Sequence, residues 1–104
     1  MPFLGKHKDG EPPVDERVQR RRTHMAGLWA AELLGLIGHA AHDYAHELVH
    51  AEHHAVGDEE HVLGRLTRDL RGKVTAAEIR AKLAHFLREA RRQLLDDDGN
   101  AGKG

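Results

Sequence analysis

Apolar residues recur every three or four positions late in this chain, at Ile79, Leu83, Phe86, Leu87, Ala90 and Leu94. That period lines one side of an α-helix with side chains that must be covered by a neighbour. Just before it stands Thr75-Ala76-Ala77-Glu78, the S/T-x-x-E capping box that satisfies the first backbone N–H groups of a helix. Three earlier segments repeat the helical period. The first spans about 14–35, with Val14, Val18, Met25, Trp29, Leu33 and, just beyond, Leu36. Within it, Arg20-Arg21-Arg22 interrupts the stripe, so its first half is expected to bury little. The second spans about 39–55, with Ala41, Tyr44, Ala45, Leu48 and Ala51 on one side. The third spans about 59–71 around Val62, Leu63, Leu66 and Leu70. Gly35 and Gly38 bracket a turn, Gly57-Asp58 breaks the pattern with Asp58 placed as a cap, and Gly72 ends the third segment.

Four such helices, the last at about 76–95, joined by short connections, predict an all-α fold: a small four-helix bundle of antiparallel neighbours over 14–95. Residues 1–13, with Gly5, Gly10, Pro12 and Pro13, read as a flexible arm. Residues 96–104, from Asp96-Asp97-Asp98 onward, read as a disordered tail. The apolar residues, 39% of the chain, are mostly Ala and Leu, with few Val, Ile or Thr. That composition excludes an all-β fold and disfavours an α/β sheet.

With 16 Lys and Arg against 17 Asp and Glu, the chain lacks the basic excess of a general nucleic-acid binder. It has no cysteine, which removes disulfides, thiol catalysis and thiolate metal sites. No run approaches the roughly 20 apolar residues of a membrane span, and the N-terminus has no signal-peptide core. The expectation is a cytoplasmic protein with no direct membrane contact.

Histidine is the anomaly, with 10 residues. His46-Glu47-Leu48-Val49-His50 is a literal H-E-x-x-H, the pattern in which two histidines one turn apart hold zinc and the glutamate acts as general base. The extension that would supply a third ligand fails, with His53 and Val56 at the glycine and ligand positions; a later carboxylate such as Glu78 has no pattern behind it. At about 100° per residue, His39, His42, His46, His50 and His53 fall within roughly 80° of arc, opposite Leu48, Ala41 and Tyr44. This is a solvent-facing ladder. The plain reading is a polar surface. The rivals are adventitious zinc or nickel at His42, His46 and His50, and a face that gains charge on acidification. Arg17-Val18-Gln19-Arg20-Arg21-Arg22 reads either as a patch for an acidic partner or phosphate, or as exposed helix surface. Glu32 reads as the outer edge of the first helix. Neither a phosphate-cradling glycine loop nor a recognisable nucleophile triad is present.

The run Gly27-Leu28-Trp29-Ala30-Ala31-Glu32-Leu33-Leu34-Gly35-Leu36, with Arg20-Arg21-Arg22 upstream, resembles the signature of the zeta-type inhibitor subunit of bacterial F-type ATP synthase. The likeness continues through Gly38, Tyr44-Ala45, Gly57-Asp58-Glu59, Val62, Asp69-Leu70, Ile79-Arg80 and Ala90-Arg91-Arg92-Gln93-Leu94. The resemblance implies a four-helix bundle that docks on the catalytic head of the synthase. It also implies an N-terminal segment that wedges between catalytic subunits and stops rotation in the hydrolytic direction, which makes the chain a non-enzyme without a cofactor. On this chain the partner-binding residues would be Val14, Arg17, Val18, Arg20, Arg21, Arg22, Met25 and Leu28. The segment before Gly27 is several residues shorter than in the family, and Pro12-Pro13 delays the helix to about Val14, which implies weakened inhibition. Val56 stands where the family often has proline, and the histidine ladder where it usually has Lys or acids. Two alternatives stand beside this reading: a bundle without inhibitory activity that responds to pH or metal through the ladder, and a small H-E-x-x-H zinc hydrolase.

Overall fold

The computed structural model describes residues 14–52 and 59–101, with side chains over 16–51 and 59–96. The expected arm 1–13, the Asp58 cap with His53 and Val56, and the last three positions lie outside the described residues. Four helices follow in order: α1 Val14–Leu33, α2 His39–Glu52, α3 Glu59–Asp69 and α4 Ala76–Ala101. The fold is all-α, a four-helix bundle in which α1 packs along both α2 and α4, and α3 closes the other side against α4 and α2.

The helix ends follow from local chemistry. At the end of α1 the Leu36 N–H donates to the Ala31 carbonyl at 2.9 Å and the Gly35 N–H to the Glu32 carbonyl at 3.1 Å. This crossed pair is the Schellman arrangement, and it requires the left-handed residue that Gly35 supplies with φ of 80°. The capping box at α4 forms in both directions. The Thr75 N–H donates to Glu78 Oε1 at 2.8 Å, and the Glu78 N–H donates to Thr75 Oγ1 at 3.1 Å.

The main core gathers Ala26 and Ala30 of α1, Leu48 of α2, Val62, Leu63 and Leu66 of α3, Leu70 just after it, and Ile79 and Leu83 of α4. Trp29, Tyr44, Val74 and Phe86 cover its margins. Between α1 and α2 the contact is made by small residues. A Cβ on Gly27 would lie 2.7 Å from Ala45 Cα, so the absence of that atom sets how closely the two helices approach.

Two expectations are changed. The first half of α1 was expected to bury little, yet Val18 is 2% exposed and forms a second core cluster with Ala90 and Leu94, flanked by Met25 and Leu87. Arg22, at the end of the basic block, is also only 2% exposed. The physical reason is α4: it is long enough to give the N-terminal half of α1 an apolar partner. The second change is its length. α4 continues through Ala101, past the helix end expected at about 95. No helix breaker intervenes before Gly99, and an Arg92–Asp96 pair at 3.4 Å joins successive turns across the expected end.

Candidate partner-binding site

Arg17, Arg20, Arg21 and His24 recur at helical spacing, so α1 presents them along one side. They line an open cleft of about 420 Å³, completed by His46 and Val49 of α2 and Leu94 of α4. Each arginine is held differently. The Arg20 guanidinium pairs with Glu16 one turn back at 3.3 Å. Arg21 Nη1 donates to Gln93 Oε1 of α4 at 3.3 Å, tying the cleft wall to the last helix. Arg17 Nε is buried with no hydrogen-bond partner. A donor in that position carries a desolvation cost that an incoming acceptor would relieve.

The expected partner-binding residues therefore separate. Arg17, Arg20, Arg21, Met25 and Leu28 are partly exposed, whereas Val18 and Arg22 face the interior. Val14 has no described side chain. Arg22 donates through Nε and Nη2 to Thr23 Oγ1 at 3.2 and 3.1 Å, and its Nη1 lies 4.0 Å from Glu59 Oε2 at the start of α3. Arg22 is a joint between α1 and α3.

The histidine ladder is exposed, as its periodicity predicts, at His39, His42, His46 and His50. It borders α1, where His24 stacks on His42 with ring centroids 6.5 Å apart. Partial burial, then the charges of His42 and His46, push the His24 imidazole below its ordinary value of 6.5. His24 was visible in the sequence as an isolated histidine. Its pairing depends on the register of α1 against α2, which no local pattern encodes.

Within H-E-x-x-H, the His46 and His50 rings stack at 5.4 Å and 28°. Glu47 is drawn to Arg65 Nη2 of α3 at 3.7 Å, and Glu78 is occupied as the capping residue of α4. Among the described residues no three His, Cys, Asp or Glu side chains converge as metal ligands. Glu32 is exposed on the outer side of α1.

A polar clamp between α2 and α3 has no counterpart among the motifs. Tyr44 Oη donates to Asp69 Oδ2 at 2.7 Å, and Arg65 Nε donates to the same oxygen at 2.8 Å. The Arg65 guanidinium also sits over the Tyr44 ring at 5.7 Å. Burial pushes the Asp69 carboxyl up, but the hydrogen bonds from Tyr44 and Arg65 outweigh it and hold the group below its ordinary value. Burial and the bond to Asp69 push the Tyr44 phenol up. The clamp fixes α2 against α3 and so supports the helix that carries one wall of the cleft.

The family model for ATPase inhibitor subunit zeta matches residues 13–93 of this chain. The chain belongs to that family. Membership implies a regulatory role rather than catalysis, and association with ATP synthase. No curated protein and no solved structure gave a significant match. Among the described residues no helix is long and apolar enough to cross a membrane. The most specific stretch of the resemblance, 27–36, coincides with two structural necessities: the close approach at Gly27 and the crossed helix end at Gly35.

Proposed function

We propose that this zeta-family chain binds the catalytic head of an F-type ATP synthase through the exposed side of α1 and inhibits ATP hydrolysis. The family match supports the inhibitory role, and the cationic side of α1 is the observation that supports the site. Arg17, Arg20 and Arg21, with the partly exposed Met25 and Leu28, combine charge with apolar contact on one helix. Arg and Met are side chains that protein interfaces favour. Val18 and Arg22 act by holding this helix in the bundle. Residues Val14 onward form the inserting helix, and the sequence ahead of it, Pro12-Pro13, lacks the N–H groups a longer inserting helix would use, so insertion is shallow and inhibition partial. The chain does no chemistry of its own in this reading, and it reaches the membrane only through the synthase.

The test is co-elution of the purified chain with the matching catalytic head in gel filtration. Co-elution that is lost in an Arg20→Glu/Arg21→Glu variant is expected. Absence of any complex, or a complex indifferent to that charge reversal, contradicts the proposed surface.

A further inference from the structure

We propose that the cleft between α1, α2 and α4 takes an acidic peptide segment of the partner, and that protonation of His24 strengthens this contact as pH falls. The inference rests on the binding surface proposed above and names its ligand chemistry and its regulation.

Charge complementarity identifies the occupant. One wall of the cleft carries Arg17, Arg20 and Arg21, and His24 of α1 and His46 of α2 line the same cleft. Val49 and Leu94 supply an apolar floor, so an extended segment with carboxylates and short aliphatic contacts fits it better than a bare ion. The guanidinium groups of Arg17, Arg20 and Arg21 are charged donors along that wall. Carboxylate acceptors for such donors form the stronger, charge-assisted class of hydrogen bond.

The groups facing the two histidines decide the direction of the pH effect. On α1 these are Arg17, Arg20 and Arg21, with Glu16 paired to Arg20. On α2 His42 stacks on His24 and His50 on His46; Asp43 and Glu47 flank the ladder, and Glu47 is drawn to Arg65. On α4 Gln93 and Leu94 face the cleft without charge, while Glu89 is engaged by Arg92. Partial burial first, and then the charges of His42 and His46, hold the His24 value low, so the empty cleft disfavours its protonation. Acidification then adds positive charge at a cleft that is already cationic. That state is unfavourable when the cleft is empty and favourable when a carboxylate-rich segment fills it. Binding and proton uptake are therefore linked, and each promotes the other.

The test uses the full chain and a fluorescein-labelled hexa-aspartate peptide, with anisotropy read at about pH 5.5 and 7.5 at constant ionic strength. Binding about tenfold tighter at the lower pH is expected from added charge at short range in a partly desolvated site. His24→Gln reduces that ratio to about twofold or less, while Arg20→Gln/Arg21→Gln weakens binding at both values. His61→Gln/His85→Gln, on α3 and α4 away from the cleft, leaves the ratio unchanged. No binding, equal binding at the two pH values, or a ratio that survives His24→Gln overturns the proposal. Proton NMR titration of the unmutated chain is an independent check. The peptide must raise the titration midpoint of His24, and an unchanged midpoint overturns it. A chain that binds the peptide this way but neither co-elutes with nor inhibits the catalytic head overturns the proposed function and keeps the cleft assignment. A chain that co-elutes and inhibits but ignores the peptide does the reverse.

Discussion

Asp69 ties α2 to α3 through its side chain. One of its carboxylate oxygens receives both Tyr44 Oη and Arg65 Nε, so two helices meet on a single atom. Asp69→Asn removes the charge from both bonds and is expected to cost about 1–3 kcal/mol, measured by urea unfolding. Tyr44→Phe should cost about 1 kcal/mol and be non-additive with it, since the two share a partner. Because the folded state holds Asp69 below its ordinary value, its contribution is present at neutral pH. It is lost as pH falls through the depressed folded value. His24 acts in a higher window. Its folded value lies below its unfolded one, so between the two the unfolded chain binds more protons and stability rises with pH. Acidification from about pH 7.5 to below 6.5 should therefore lower the thermal midpoint of the free chain, and His24→Gln should shrink that loss. Neither pairing was legible beforehand. Tyr44 and Asp69 stand 25 positions apart and His24 and His42 eighteen, and the tertiary register alone brings them together.

At the scale of elements, much was legible because it is local. The capping box at Thr75 and Glu78, the glycine end of α1 and the apolar stripe of α4 each depend on neighbours within a turn or two, and each formed where the pattern placed it. The burial of Val18 and Arg22 was not legible, because it depends on how far α4 extends alongside α1. Two glycines inside helices give opposite expectations. A Cβ at Gly27 would collide with Ala45 Cα, a backbone atom that cannot step aside, so Gly27→Ala should destabilise the chain by about 1–3 kcal/mol. A Cβ at Gly64 on exposed α3 meets nothing within 4 Å, so Gly64→Ala should stabilise it by up to about 1 kcal/mol through helix propensity. Chemical denaturation of the two variants side by side checks both signs.

At the scale of the whole molecule, the bundle is a frame that presents one cationic side of α1. α4 underlies the N-terminal half of that helix, α2 supplies the opposite wall of the cleft, and α3 braces α2 through the Asp69 clamp. The site was legible as a basic run but not as a geometry. Arg20-Arg21-Arg22 is contiguous in sequence, yet its members point to three different environments: Glu16 on the same helix, Gln93 on α4, and the Thr23 and Glu59 joint. The H-E-x-x-H pattern drew attention by spacing alone, and the structure engages its glutamate with Arg65. The central claim is that this zeta-family chain restrains ATP hydrolysis. Its most direct test is a titration of the purified chain into the matching catalytic head, with the rate of ATP hydrolysis measured at each addition. A saturable fall to a residual rate, relieved by Arg20→Glu/Arg21→Glu, is the predicted result; a rate that stays constant at molar excess of the chain contradicts the claim.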